Sequence, residues 1–143
     1  MSRGAQLRRG GFSLLELLVA LIILGLLVTL VAPRLLDNIG QGRVTTTRTQ
    51  IANLSSAVSQ FYLDVGRYPT EEEGLEALLR APQGPEAEKW SGPYLETNYV
   101  PQDAWGREFH YILEPDGRYL IRSLGADGRP GGEGDNAELD NRN

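Results

Sequence analysis

The stretch LRRGGFSLLELLVALIILGLLVTLVAPRLL (Leu7 to Leu36) combines a long apolar run with a carboxylate, Glu16, near its start. From Leu17 to Ala32 the residues are almost all Leu, Ile, Val and Ala, with only Gly25 and Thr29 as mild interruptions. Phe12 to Leu15 extend the run to the roughly 20 residues that cross a hydrocarbon core. The competing reading is the buried helix of a soluble protein. So long an apolar run sits poorly in a chain of 143 residues, and a membrane helix is the reading adopted. Arg3, Arg8 and Arg9 precede it, which places the N-terminus in the cytoplasm and the bulk of the chain outside; Arg34 and Arg43 after it soften that asymmetry.

The remaining composition narrows the function classes. The formal net charge is −5 and the Lys and Arg residues form no basic stripe, which argues against nucleic acid as a partner. There is no cysteine, so a disulfide framework and a thiolate metal site are both excluded. His110 is the single histidine, which rules out a zinc site built on several imidazoles. Length beyond the apolar run suits one compact domain.

A secretory signal peptide would share the basic start and apolar middle, but it needs a small-residue cleavage site. The best one here, after Ala32, has Leu30 two positions earlier and Pro33 immediately after it. A more distinctive junction precedes the run, at Gly10-Gly11-Phe12-Ser13-Leu14-Leu15-Glu16. It resembles the cleavage and methylation motif of type IV pilins and of the pseudopilins of type II secretion. The resemblance implies that a prepilin peptidase cuts between Gly11 and Phe12, that Phe12 is N-methylated, and that Glu16 is the glutamate at the fifth mature position.

An ionised carboxylate inside a bilayer costs about 2.5–3.5 kcal/mol at the helix centre and less near the end, where Glu16 sits. Such a group calls for a partner. Cleavage after Gly11 creates an amine on Phe12, and helices stacked with an axial offset can bring Glu16 of one subunit to the Phe12 ammonium of the next. Each charge then neutralises the other and the pair sets the register. A Glu16 that snorkels to the interface without a partner is the alternative.

Beyond Pro33 the pattern changes character. Ile51, Leu54, Val58, Phe61 and Val65 recur at steps of three and four among polar residues, which predicts an amphipathic helix with one buried face. Pro33, Gly40 and Gly42 are positions where bending or melting is expected. The family likeness implies one long helix, its first half in membrane or filament core and its second half packed on a head. A separate anchor on a flexible linker would need a Gly/Ser-rich or Pro-rich composition that is missing.

Gly66 is expected to end the helix, and Tyr68-Pro69 to turn the chain. Thr70 with Glu73 forms a capping box for a second helix with Leu75, Leu78 and Leu79 on its apolar face and Pro82 near its end. From Ala81 to Pro101 a Pro- and Gly-rich loop is expected to be pinned by Trp90, Tyr94 and Tyr99; a sugar-binding aromatic platform is the sharper alternative. Phe109, Tyr111 and Leu113 alternate with Glu108, His110 and Ile112, and a turn at Glu114-Pro115-Asp116-Gly117 leads to Tyr119–Ile121, which together predict an antiparallel hairpin. His110 reads as an ordinary strand residue. No nucleophile elbow, phosphate-cradling loop or triad is evident, so catalysis has little support.

The stretch from Ser123 to Asn136 reads two ways. Its composition is that of a flexible acidic tail, whereas closely spaced carboxylates and glycines can wrap a calcium ion, with carbonyls completing six to eight oxygens. The spacing is not that of an EF-hand. It does resemble the C-terminal calcium loop of the G-type pseudopilins of type II secretion; Thr70 with Glu73-Gly74-Leu75-Glu76-Ala77-Leu78 resembles that family's signature after the long helix, and Val100-Pro101-Gln102-Asp103-Ala104-Trp105-Gly106 its proline-aspartate-tryptophan-glycine turn. Ala104 stands where the family usually has proline, and the tail Ala137-Glu138-Leu139-Asp140 has glutamate where aspartate is usual and lacks the closing tryptophan. The resemblance implies a Ca2+ shell of the Asp127 and Asp135 side chains and the Leu124 and Arg129 carbonyls, with Asn136 and Glu133 in reserve.

Taken over almost the whole chain, the resemblance implies an α+β, type IV pilin-like fold. It divides into a leader over 1–11, a transmembrane and filament-core helix over 12–33, and a periplasmic head over 34–143 with a short helix, a short antiparallel sheet and the calcium loop. The implied function is that of a major structural subunit, not an enzyme, which polymerises into a helical pseudopilus and drives folded proteins across the outer membrane. Expected partners are further copies of the chain, minor pseudopilins, the prepilin peptidase, the inner-membrane assembly platform and the inner membrane itself. The alternatives are the major subunit of a type IV pilus, against which the missing cysteines count, and a membrane-anchored periplasmic enzyme.

Overall fold

The computed structural model describes residues 11–142, and of residues 33–38 the backbone alone. One helix, α1, runs over Leu14–Val65, followed by a head with the strands β1 (His110–Leu113), β2 (Tyr119–Ser123) and β3 (Leu139–Asp140). Pro33, Gly40 and Gly42 do not interrupt the helical assignment. The chain divides into two units between Asn38 and Ile39.

In the first unit, Leu14–Ala32 is an apolar helix of 19 residues, long enough to cross a membrane, and every residue of it is exposed. The consecutive residues Leu21, Ile22, Ile23 and Leu24 are 59%, 64%, 52% and 58% exposed, so the apolar surface runs round the helix instead of forming one stripe. The Thr29 hydroxyl donates to the Gly25 carbonyl at 2.9 Å, which satisfies the segment's polar interruption within the helix itself.

The second unit has the expected amphipathic helix. Ile51, Leu54, Val58, Phe61 and Val65 are all buried, joined by Ala57, and pack with Leu75, Ala77, Leu78, Phe109, Ile121 and Leu139. Gly66 ends α1 in the left-handed region (φ 88°), its N–H donating to the Tyr62 carbonyl at 2.9 Å.

The capping box forms as expected: Thr70 N–H donates to Glu73 Oε2 at 2.9 Å and Glu73 N–H to Thr70 Oγ1 at 3.2 Å. The element it opens is a five-residue 3₁₀ helix, Gly74–Leu78, and not an α-helix; Gly74 at φ 53° interrupts an α-helical continuation directly after the box. Leu75 and Leu78 are buried while Leu79 is only half-buried.

Glu73 has a second partner. The Arg67 guanidinium donates to its two oxygens at 2.7 and 2.8 Å and to Glu86 at 2.6 Å. Arg67, opposed by partial burial and aided by Thr70, holds the Glu73 carboxyl below the usual carboxylate range. Since the folded-state value lies below the unfolded one, this stabilisation is fully present above about pH 4.3 and is lost as pH falls through the depressed value. Glu73→Gln is therefore expected to cost roughly 1–2 kcal/mol at neutral pH, between an exposed pair and a charged hydrogen bond, with the gap to the unmutated chain closing in acid. Denaturant melts from neutral pH to about pH 3 check this; a constant gap contradicts it.

The loop after residue 81 contains a second 3₁₀ turn, Pro85–Lys89, and is pinned by two of the three expected aromatics. Trp90 Nε1 donates to the Ala77 carbonyl at 2.9 Å, and the Tyr94 hydroxyl to Asp64 at 2.8 Å while its ring meets Phe61 edge-on at 6.0 Å. Tyr99 is 61% exposed, and its hydroxyl has no hydrogen bond among the described residues.

The hairpin is present in antiparallel register, His110 opposite Arg122 and Leu113 opposite Tyr119. Its turn closes with Gly117 N–H donating to the Glu114 carbonyl at 2.9 Å, Gly117 taking φ 80°. β3 adds a third antiparallel strand on β2, with Ser123 opposite Leu139, giving the order β1-β2-β3. Burial raises the Tyr111 pKa, and this neutral phenol donates to the Pro69 carbonyl at 2.9 Å.

Candidate functional site

At the N-terminal junction, Gly11 to Ser13 precede the helix, Gly10 and the arginines before it lie outside the described residues, and Phe12 is 83% exposed. The first helical hydrogen bond runs from Leu17 N–H to the Ser13 carbonyl at 3.1 Å. Ser13 and Glu16 have capping-box spacing, yet no side-chain bond joins them. Glu16 lies in the first turn of α1, where the helix dipole favours an anion, and is exposed with no partner among the described residues. The junction therefore presents an accessible, non-helical Gly11-Phe12 bond followed by an uncompensated carboxylate at the edge of an uncovered apolar surface.

The C-terminal loop is tied down more firmly than a composition of glycine and acid suggests. Gly125 is buried at φ 70°, and a Cβ on it would come within 2.7 Å of the Ala137 carbonyl oxygen. Ala126 N–H donates to the Asp135 carbonyl at 2.8 Å, which brings the neighbour of Asp127 against Asp135. Asp127 accepts from Arg129 N–H at 3.0 Å, and both residues are exposed. The Asp135 carboxylate lies against Gly40 of α1, where any Cβ would fall on it. Glu138 is engaged by Arg122 at 3.2 Å and by Gly131 N–H at 3.3 Å.

Whether these residues suit calcium depends on their donors. Asp127, Asp135 and the Leu124 and Arg129 carbonyls are all hard oxygens on one glycine-bearing loop, which matches calcium's preference. Among the described residues no three His, Cys, Asp or Glu side chains are grouped for a metal, so two carboxylates would need backbone carbonyls and water to complete a shell.

Three residues around this loop carried no role in the sequence reading. Asp103, buried to 5% exposure, accepts from Trp105 N–H at 3.0 Å, Arg107 N–H at 2.9 Å and the Ser123 hydroxyl at 2.6 Å. Thr47, fully buried in α1, accepts from Ala104 N–H at 3.2 Å. Arg107 reaches the carbonyls of Gly125 and Ala126. An aspartate opening a tight turn is a readable signal for the two local bonds, but the others join residues far apart in sequence.

A surface groove lined by Glu71, Glu72, Glu76, Glu108 and His110 among others holds carboxylates and one imidazole but no activated nucleophile among the described residues. His110 is exposed at the start of β1.

The family model for protein G of the type II secretion system matches residues 34–142, and the prokaryotic N-terminal methylation motif matches residues 7–32. The type II secretion system core protein G of Vibrio cholerae is 38% identical over 95% of this chain and 93% of its own length. Core protein G of Pseudomonas aeruginosa is 35% identical over 94% of this chain and 95% of its length. The crystal structure of the major pseudopilin from the type 2 secretion system of enterohaemorrhagic Escherichia coli superposes with a TM-score of 0.60 at 29% identity, covering 76% of this chain and 94% of that one. An exposed apolar helix within a methylation motif, a fold that superposes on a major pseudopilin and matches along nearly the whole length lead to one conclusion: the chain belongs to the protein G family of type II secretion, the major pseudopilins, and is a structural subunit of the pseudopilus, not an enzyme.

Proposed function

We propose that this subunit is inserted in the bacterial inner membrane through residues 12–33 as a single-pass protein, with residues 34–143 in the periplasm. A prepilin peptidase removes residues 1–11 by cutting between Gly11 and Phe12, and Phe12 is then N-methylated. The observation that carries this reading is the uncovered apolar helix Leu14–Ala32 with the unpartnered Glu16 in its first turn. A surface of that kind is stable in lipid or against other copies of itself, and Glu16 finds its counter-charge in the new Phe12 amine of an adjacent subunit.

Polymerisation then exchanges lipid contacts for helix contacts, and growth of the pseudopilus moves folded proteins through an outer-membrane channel. The assembly platform and minor pseudopilins organise this growth, with energy from a cytoplasmic ATPase. Calcium, when bound, supplies a charge that draws the loop oxygens together; Asp127, Asp135 and the Leu124 and Arg129 carbonyls would hold it, with Asn136 and Glu133 as further donors. The loop so held would present a surface for contact between heads.

Intact-mass and N-terminal analysis of the protein recovered from its native membrane tests the processing step. The expected chain begins with methylated Phe12. An uncut chain, or one cut near Ala32, removes the amine that Glu16 requires and overturns the proposal.

A further inference from the structure

Arg107 is half-buried between the Asp103 turn and β1, yet its guanidinium is directed into the C-terminal loop. Nη1 donates to the Gly125 carbonyl and Nη2 to the Ala126 carbonyl at 2.7 Å. The same group lies close over Gly128, where a Cβ would come within 3.0 Å of Nε. On the other side, Gly125 N–H donates to Ser123 Oγ at 3.3 Å, and Ser123 is itself held by Asp103. The Gly125–Ala126 peptide plane is therefore held at both edges, its carbonyl by Arg107 and its N–H by the Asp135 carbonyl, and the planes on either side of it are each held at one edge.

Charge and direction act on the loop in different ways. A carbonyl bonded to the guanidinium turns its oxygen toward Arg107, so the Gly125 and Ala126 oxygens are already engaged by the protein, and the flanking Leu124 carbonyl and Asp127 carboxylate are the ones left to serve. The guanidinium also places a permanent positive charge near the loop, which by itself opposes a second cation. Positioning and charge thus push affinity in opposite directions.

We propose that Arg107 is a positioning residue for the divalent-cation site: its fork pre-forms the Leu124–Asp127 half of the loop before any ion arrives. The inference rests on the reading of this loop as a calcium site. Pre-formation outweighs repulsion, because an unfixed glycine-bearing segment would have to lose its conformational freedom at the moment of binding. Lysine cannot replace the fork, since one ammonium is a compact point charge that does not hold two carbonyls in a fixed plane.

The test uses the full chain in detergent micelles, with calcium titrations by calorimetry and amide hydrogen exchange in EDTA, on the unmutated chain and on Arg107→Met, Arg107→Lys and Asp135→Ala. Arg107→Met is expected to bind calcium at least about tenfold more weakly and to lose exchange protection across residues 125–129 even without calcium. Arg107→Lys, which retains the charge and a folded head, is expected to remain severalfold weakened, and carries the test if the methionine variant does not fold. Equal or tighter binding by Arg107→Met or Arg107→Lys with unchanged protection in EDTA overturns the assignment of Arg107 alone. No calcium binding by the unmutated chain, or undiminished binding by Asp135→Ala, overturns the calcium reading and this proposal with it.

Discussion

Replacing Glu16 by alanine is expected to leave the protein inserted in the membrane but unassembled. Insertion is driven by the apolar run Leu14–Ala32, whose mean hydropathy of 2.9 already includes the one carboxylate in its first turn. Removing that carboxylate even favours insertion, because an ionised group in lipid carries a cost. Assembly is different. Each added subunit would bury a Phe12 ammonium with no counter-charge, and breaking a buried pair by deleting one partner is far costlier than replacing the pair. A loss of only about 1.4 kcal/mol per contact lowers each association constant tenfold, and a polymer multiplies that loss along its length. Glu16→Gln should fail nearly as badly, since an amide keeps the shape but not the charge. Fractionation and filament shearing check both variants; normal filaments from either contradict the pairing.

The second large effect is expected at Asp103, which ties the centre of the head together. Its carboxylate takes two backbone N–H groups and the fully buried Ser123 hydroxyl, and the next residue bonds to Thr47 on α1. Asp103→Ala leaves all three donors without their acceptor, at about 1–3 kcal/mol for each buried group that water cannot reach. A net loss of roughly 3–5 kcal/mol, or about 10–20 °C in melting temperature, is expected. Asp103→Asn keeps one acceptor oxygen and should lose about half as much. Thermal melts of the two variants in micelles decide the matter, and an alanine variant within about 1 kcal/mol of the unmutated chain contradicts this role.

These two residues also mark the boundary of what could be read in advance. Glu16 stands out because a carboxylate in an apolar run violates a local rule, and local violations are visible in one dimension. The buried face of Ile51 to Val65 and the hairpin were legible for the same reason, since each is a period or a turn written in consecutive residues. Asp103 appeared only as part of a motif. Its partner Ser123 lies 20 positions away, and Thr47 lies 57 positions from Ala104, so no periodicity connects them.

β3 escaped notice because two residues are too few to show alternation, although Leu139 is buried to 1% exposure. The capping box at Thr70 announces a short helix and is genuine, but nothing in it says that Gly74 makes that helix a 3₁₀ turn. For the C-terminal loop, composition suggested a tail; the Arg107 fork and the pairing of β3 with β2 come from residues outside the loop's own glycines and acids. Sequence identifies the donors of such a loop far better than it identifies what holds them.

The pairing of Glu16 is the centre of the account, and the structure of the assembled filament tests it most directly. The expected result is the Glu16 carboxylate of one subunit within hydrogen-bonding distance, about 2.7–2.9 Å, of the methylated Phe12 nitrogen of a neighbour, repeated at every step. A filament in which Glu16 faces lipid or solvent, with each Phe12 amine neutralised elsewhere, would contradict it.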